Sequence, residues 1–131
     1  MLRFKYKKEV DSDHAEVWRP VADVWFKANA NNWIELHPYI DSGADITLVP
    51  YSFGKLLGFS KARASKEKIG GIGGRIDVVI ITWPIKIGEK NIKATIGWAQ
   101  SEDVPALLGR REIFDEFEIT FLQREKEILF K

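Results

Sequence analysis

The segment YIDSGADITLVP, residues 39–50, places an aspartate, Asp41, directly after an apolar stretch and follows it with Ser-Gly-Ala-Asp. A buried strand that ends in a carboxylate delivers that group to a loop beside the core. A carboxyl group in such a place can take a proton from water or give one to a substrate, which is general acid–base chemistry. A single acid seldom catalyses much alone, and the sequence contains one copy of this pattern.

Two further segments have unusual composition. KIGGIGG, residues 68–74, is rich in glycine and precedes a strand-like stretch. A phosphate-binding loop would need a following Lys-Ser or Lys-Thr and a helix start, and neither follows here. LLGRREIF, residues 107–114, joins an apolar run to glycine and arginine. Each segment is a weak signal when taken alone.

The elements that must position these segments are mostly short strands. Leu2, Phe4 and Tyr6 alternate with charged residues, as in a half-buried strand. Strand-like segments recur at close spacing along the chain, and Gly88-Glu89-Lys90-Asn91 is typical of a hairpin turn. Ile113, Phe114 and Phe117 have helical spacing and predict one late helix, and residues 117–130 predict two strands around a charged turn. The fold class predicted is mostly β.

Taken together and in this order, the three segments resemble those of the retropepsin family, the retroviral-type aspartic proteases. WRPV, residues 18–21, is also similar to the N-terminal segment of the immunodeficiency-virus enzyme, with one residue missing. The resemblance covers about residues 18–121. It implies a bent β-barrel with a flap hairpin and one short C-terminal helix. It also implies a homodimer that hydrolyses peptide bonds between hydrophobic residues, in which Asp41 of each chain supplies half of the catalytic pair.

The resemblance also assigns roles to individual residues. Asp41 would be catalytic, and Ser42 and Gly43 would support the active site. Arg110 of the same chain and Arg19 of the other chain would pair with Asp45. The positions implied to bind substrate are Ala44, Asp45, Leu48, Ile69, Gly70, Gly71, Ile72, Gly73, Gly74, Val104, Pro105 and Leu107.

The chain departs from the viral pattern at both ends. We expect a single domain over residues 1–131, with an extra N-terminal strand within residues 1–15 and a C-terminal hairpin extension over residues 122–131. In the viral enzyme the terminal strands of the two chains interleave, so a longer C-terminal hairpin could form the dimer interface differently. These additions favour a cellular member of the family over a virus-encoded one.

Composition excludes several other classes. Twenty lysines and arginines against nineteen acids leave no net field that would attract nucleic acid or a membrane. The absence of cysteine excludes disulfides and thiol catalysis. His14 and His37 lack a ligand set, so neither a metal nor a cofactor is expected. Without a signal-like N-terminus or a long apolar run, the expected location is cytoplasmic.

Two alternatives to an endopeptidase remain open on the sequence. A retropepsin-like module could bind extended peptides in the cleft by strand addition without hydrolysing them. A monomeric β-domain with a regulatory or structural role is the other. The intact Asp-Ser-Gly segment favours the enzyme over both.

Overall fold

The computed structural model describes residues 1–29, 31–61, 65–71 and 74–131, with the backbone alone described for 65–71 and Gly74. These residues form thirteen strands and one α-helix. The elements in chain order are β1 (Leu2–Lys5), β2 (Lys7–Val10), β3 (Glu16–Arg19), β4 (Val24–Lys27), β5 (Trp33–Leu36), β6 (Tyr39–Ile40), β7 (Thr47–Val49), α1 (Tyr51–Leu57), β8 (Ser65–Gly71), β9 (Gly74–Ile87), β10 (Lys90–Ala99), β11 (Leu107–Leu108), β12 (Ile119–Leu122) and β13 (Glu127–Phe130). The predicted mostly-β class is confirmed.

The largest sheet has eight strands in the order β5–β4–β9–β10–β7–β11–β6, and β8 pairs with β9 outside this path. β9 and β10 form its long central hairpin, closed as predicted by a turn at Gly88 and Glu89. Gly88 has a φ of 59°, a backbone conformation that glycine adopts without a Cβ clash. Two smaller sheets contain the ends of the chain, with the orders β1–β13–β12 and β2–β3.

The core is built from alternate residues of these strands. In β10 the buried residues include Ile92, Ala94, Ile96 and Trp98, the period of two that a sheet imposes. The α1 helix covers this core, and the Trp98 Nε1–H donates to the carbonyl of Tyr51 at 3.0 Å. Among the described residues, no helix is long and apolar enough to span a bilayer.

The late helix predicted after Leu107 is wrong. Residues 111–116 form successive turns, and Leu107–Leu108 is a strand. Glu112 has a φ of 65°, which a right-handed helix cannot accommodate. The Glu112 carboxylate instead accepts hydrogen bonds from the backbone N–H and the hydroxyl of Thr95, both at 2.9 Å. The contact between Glu112 and Thr95 thus occurs together with a left-handed backbone at Glu112, which the helical spacing of Ile113, Phe114 and Phe117 did not predict.

The terminal segments are more elaborate than expected. Residues 1–15 contain two strands where one was expected, because β2 pairs with β3 while β1 pairs with β13. The two strands predicted within residues 117–130 are present as β12 and β13, so the C-terminal hairpin begins at Ile119, before the extension expected over residues 122–131. Both chain ends therefore meet in one three-stranded sheet.

Candidate active site

Asp41 begins the loop between β6 and β7. β11 lies between these two strands, parallel to β6 and antiparallel to β7. The N–H of Tyr39 donates to the carbonyl of Ala106 at 3.0 Å, and the N–H of Asp41 donates to the carbonyl of Leu108 at 3.0 Å. The backbone that delivers Asp41 is therefore fixed by hydrogen bonds from a segment more than sixty residues later in the chain.

The carboxylate of Asp41 is oriented by its own loop. The N–H of Gly43 donates to Asp41 Oδ1 at 2.9 Å, and the N–H of Ala44 donates to the Asp41 carbonyl at 3.2 Å. This is the local side-chain turn that aspartate readily forms. Asp41 is half-buried and Ser42 is exposed. The carboxylate therefore has a defined direction and remains accessible to a substrate.

The rest of the loop is attached to the segment that follows β11. The backbone N–H groups of Arg110 and Arg111 donate to the carbonyls of Ala44 and Asp45, each at 2.9 Å. The guanidinium of Arg110 also donates to the carboxylate of Asp45, so the expected intrachain pair is present. Both side chains are more than half exposed, so this ion pair adds at most about 1 kcal/mol to stability. The backbone bonds therefore hold the loop.

Gly109 lies against the backbone of Ile46 at the centre of this contact. A Cβ on Gly109 would lie 2.3 Å from the carbonyl carbon of Ile46, so only glycine fits. The N–H of Gly109 donates to Thr47 Oγ1 at 3.1 Å. Thr47 is fully buried, and its hydroxyl partners a backbone group that has no strand partner at this point.

We expect Thr47→Val to lower the free energy of unfolding by about 1–3 kcal/mol, because the buried N–H of Gly109 loses its acceptor while the side-chain volume is kept. Thr47→Ser keeps the hydroxyl and should lose clearly less of the hydrogen-bond contribution. Urea unfolding of the two variants and the parent measures the difference. Equal destabilisation of both variants would mean that packing, and not the hydrogen bond, sets the role of Thr47.

A cavity of about 420 Å³ opens beside Asp41. Two of the predicted substrate-binding residues, Pro105 and Leu107, line it together with Asp41. Pro20 was not among the predicted site residues; it lies at the cavity, where the N–H of Ile40 donates to its carbonyl at 2.9 Å. The full lining is Arg19, Pro20, Tyr39, Ile40, Asp41, Pro105 and Leu107. The site is thus a carboxylate in a largely apolar cleft.

The other predicted apolar positions form a second group next to this cavity. Leu48 is buried with residues of β9 and β10, and Val104 packs on the same group. Leu107 belongs to both, since it lines the cavity and contacts this cluster. The cluster consists of Leu48, Val78, Ala99, Ile76, Ile80, Val104 and Leu107. The apolar surface therefore continues from the carboxylate toward the β8–β9 hairpin.

The described residues among those predicted to form the flap lie in the paired strands β8 and β9. Its paired positions include Ile69 with Ile76 and Gly70 with Arg75. The last pair joins Gly71 to Gly74. Ile72 and Gly73, at the expected tip, lie outside the described residues. Ile76, near the tip end of the pairing, and Ile80, at its base, both pack on the apolar cluster that contains Leu107, so the β9 strand of this hairpin is held beside the site.

Arg19 belongs to a polar cluster that links the β2–β3 hairpin to β6. Its Nε lies 3.4 Å from Glu9 Oε1, and its guanidinium lies 5.6 Å from the centre of the Tyr39 ring. The Tyr39 hydroxyl donates to the Glu9 carboxylate at 2.6 Å. The expected contact of Arg19 with Asp45 of a second chain remains a prediction. Within the chain, Glu9 is the acid that pairs with Arg19.

This cluster shifts two pKa values in opposite directions. The hydrogen bond from Tyr39 is the main cause that lowers the pKa of Glu9, and Lys7 and Arg19 contribute. Burial raises the pKa of Tyr39, and the Glu9 carboxylate raises it further. Because the pKa of Glu9 is lower in the folded protein, ionised Glu9 stabilises the fold at pH values above the ordinary glutamate pKa. This stabilisation is lost as the pH falls through the pKa of Glu9 in the folded protein.

We therefore expect Glu9→Gln to reduce the acid sensitivity of the protein. The thermal midpoint of the parent should fall more steeply than that of the variant between roughly pH 5 and pH 3. Thermal unfolding followed by circular dichroism at several pH values measures this. Glu125→Gln, a change at a carboxylate beside an exposed arginine, is the matched control and should keep the parent slope. Parallel slopes for Glu9→Gln and the parent would contradict the coupling.

Within the described residues, no group of three or more histidine, cysteine, aspartate or glutamate side chains is arranged to hold a metal ion.

The mostly-β strand arrangement is consistent with a retropepsin-like fold. Among solved structures, the chain is similar to EIAV protease in complex with the inhibitor HBY-793. The TM-score is 0.59 at 26% sequence identity, over 74% of this chain and 86% of that chain. No family model and no curated protein matches the sequence. The likeness supports an aspartic-protease-like fold for this chain.

Proposed function

We propose that the protein is an aspartic endopeptidase that works as a homodimer, with Asp41 from each chain at a shared active site. The observation that carries the proposal is the placement of Asp41. Its carboxylate is held by the Gly43 N–H, is accessible, and lines a cavity with apolar and aromatic side chains in a fold similar to that of a retroviral protease.

The second chain is required by the chemistry. Peptide hydrolysis by this route needs one carboxylate to take a proton from water and one carboxyl group to give a proton to the scissile carbonyl oxygen. One chain supplies one such aspartate. A two-fold axis beside Asp41 would supply the other with the same loop geometry.

Sharing one proton follows from electrostatics. Two carboxylates about 3 Å apart repel by roughly 5 kcal/mol at an effective dielectric constant near 20. That is about four pKa units at 1.36 kcal/mol each. At mildly acidic pH the pair would hold a single proton, so base and acid would be present together. The two apparent pKa values would belong to the pair and not to either residue.

The cavity suggests the substrate. Apart from Asp41 and Arg19, its walls are apolar or aromatic, and the neighbouring cluster extends the apolar surface. Side chains of a bound peptide would bury apolar area there at roughly 25 cal/mol per Å². We infer that the cleaved bond lies between hydrophobic residues of an extended chain. The β8–β9 hairpin would close over that chain.

The test is incubation of the purified protein with a peptide library at roughly pH 4–6, with the new chain ends identified by mass spectrometry. Endopeptidase activity predicts internal cuts flanked by apolar residues. Activity per molecule should fall on dilution, because monomers carry half a site. Tight binding of a statine-type inhibitor without any peptide cleavage would reject the endopeptidase and favour a peptide-binding module. A strict monomer without cleavage or inhibitor binding would favour a structural β-domain.

A further inference from the structure

The three-stranded sheet at the chain ends is completed within one chain. β1 pairs with β13 from Leu2↔Phe130 to Lys5↔Glu127, and β13 pairs on its other side with β12. The N-terminal strand therefore occupies a position beside the C-terminal hairpin of its own chain. Both sides of β13 are filled, so a strand of a second molecule can join this sheet only at β1 or at β12.

These two edges differ in charge. β12 reads ITFL and has no charged residue. Natural edge strands are usually protected from further pairing by charged side chains, especially lysine. Each of the other edge strands of four or more residues in the described part of the chain contains charged residues: Arg3 and Lys5 in β1, Lys7, Lys8 and Glu9 in β2, Glu16 and Arg19 in β3, Glu35 in β5, and Lys66, Glu67 and Lys68 in β8. β12 lacks that protection.

The backbone of β12 also presents free groups at this edge. Glu118 and Lys131 exchange both backbone hydrogen bonds, at 3.0 and 2.9 Å. Antiparallel pairs alternate between hydrogen-bonded and non-bonded positions. The backbone N–H and C=O groups of Thr120 and Leu122 therefore point toward β13, as those of Glu118 do. The N–H and C=O groups of Ile119 and Phe121 then point away from β13, toward the open edge.

The apolar side chains on the core face of this sheet become exposed at the β12 edge. One row of opposed residues runs from Phe4 through Ile128 to Phe121. Phe4 is 9% exposed, Ile128 is 0% exposed and Phe121 is 40% exposed. An apolar row that is buried in two strands and open in the third indicates that another apolar surface continues it.

We propose that β12 is the dimer interface and that it pairs with β12 of a second copy of this chain, giving a continuous six-stranded sheet without exchange of terminal strands. The inference rests on the homodimeric function proposed above. A two-fold axis through Thr120 pairs Ile119 with Phe121 of the partner subunit in both directions. This register satisfies the outward groups of Ile119 and Phe121 within the two strands, whereas either neighbouring register would pair one of them with a residue outside β12.

The interface strand is connected directly to the active-site loop. Arg110 is bonded to Ala44 and Asp45, and residues 111–117 lead from it to β12. Pairing of two β12 strands would thereby restrain the segments that support both Asp41 loops. This gives the dimer a physical route by which sheet formation positions the catalytic groups.

Single cysteines test the register, because the chain contains no cysteine of its own. In the proposed dimer the two copies of Thr120 face each other at a non-bonded position with Cα atoms about 4.5 Å apart. That distance is within the range of about 4.4–6.8 Å for a disulfide. Thr120→Cys should therefore give a disulfide-linked dimer on a non-reducing gel. Lys5→Cys, at the opposite edge of the same sheet, should remain unlinked. Linkage of Lys5→Cys without linkage of Thr120→Cys would overturn the proposal.

Phe121→Lys tests the surface without a crosslink. Two-fold symmetry places the new charge in the interface twice, so the dimer dissociation constant measured by sedimentation should rise at least about tenfold. Val10→Lys changes an exposed apolar residue on a different edge strand and should leave that constant unchanged. Circular dichroism verifies that both variants are folded. An unchanged constant for folded Phe121→Lys would refute the interface.

The outcomes for interface and function are separable. A dimer that links through Thr120→Cys but cuts no peptide supports the interface and rejects the endopeptidase. Cleavage by a protein whose dimer is insensitive to Phe121→Lys supports the endopeptidase and rejects the interface. If a strand of an unrelated protein occupies β12, the purified chain stays monomeric and Thr120→Cys gives no linked dimer, which also rejects the proposal.

Discussion

Asp41→Asn abolishes peptide cleavage while leaving the protein folded and dimeric; this is the largest effect we expect. General acid–base catalysis contributes about 10²–10⁴-fold for one group, and here the change removes both members of the pair at once. Asparagine has nearly the same shape, and its Oδ1 can still accept the Gly43 N–H bond that Asp41 accepts at 2.9 Å. The loss should therefore lie in the turnover number and not in stability.

Asp115→Asn is the matched control, because it removes one carboxylate at an exposed position away from the cavity. Cleavage rates, thermal midpoints and sedimentation are measured for the parent and the two variants. Asp115→Asn should match the parent in all three. If Asp41→Asn cleaves the library as fast as the parent, Asp41 is not the catalytic residue.

Gly109→Ala has the second largest expected effect. The new Cβ would lie 2.3 Å from both the carbonyl carbon and the carbonyl oxygen of Ile46, and 2.8 Å from its Cα. These are backbone atoms, so no rotamer change relieves the clash and the two segments must separate. Overpacking of this kind costs about 1–3 kcal/mol and occasionally more, and we expect the upper part of that range.

Separation of these two segments would also displace Asp41. Leu108, which precedes Gly109, accepts the N–H of Asp41, and Arg110, which follows it, donates to Ala44. A shift of about 1 Å at such a site can lower the rate on the order of 10²-fold. Urea unfolding and cleavage rates should therefore fall together in Gly109→Ala.

Gly43→Ala separates the two consequences. A Cβ at Gly43 would meet only the Asp41 Oδ1 atom, at 3.3 Å, which is a side-chain contact. We expect a change in stability below about 1 kcal/mol with a clear loss of activity. Arg111→Ala, at an exposed side chain in the same segment as Gly109, should affect neither property strongly. A Gly109→Ala protein as stable as the parent would show that the two segments are not closely packed.

The polar cluster at the β2–β3 hairpin places part of the N-terminal region beside the candidate site. Tyr39 lines the cavity and is two residues from Asp41, and its hydroxyl is bound to Glu9 of the hairpin. The ring also lies below the guanidinium of Arg19. The N-terminal segment thus contacts the wall of the cavity, which gives residues outside the Asp41 loop a part in forming the candidate site.

The late helix illustrates where sequence reasoning fails. Ile113, Phe114 and Phe117 do have helical spacing, and Ile113 is fully buried. Their burial is achieved by turns, because Glu112 adopts a left-handed conformation and binds Thr95 on β10. Periodicity records which residues face the core. It does not record a side-chain contact with a strand that lies seventeen residues earlier.

Local chemistry was sufficient for several other features. The alternation in β1 and the hairpin turn at Gly88 follow from side-chain period and backbone preference, and each can be read within a few residues. The pairing of Asp45 with Arg110 also followed from the resemblance of two short segments. The same resemblance placed Pro105 and Leu107 at the site, and both residues line the cavity.

The amino-acid sequence by itself determined the mostly-β class, most strand positions and the aspartate that could carry the chemistry, because these depend on short-range pattern. Only the tertiary structure decided that β11 lies between β6 and β7, that Thr47 binds Gly109, that Glu9 binds Tyr39, and that β1 joins the C-terminal hairpin. Each of these contacts joins residues far apart in the chain. Their formation depends on the packing of the whole core, which no single segment specifies.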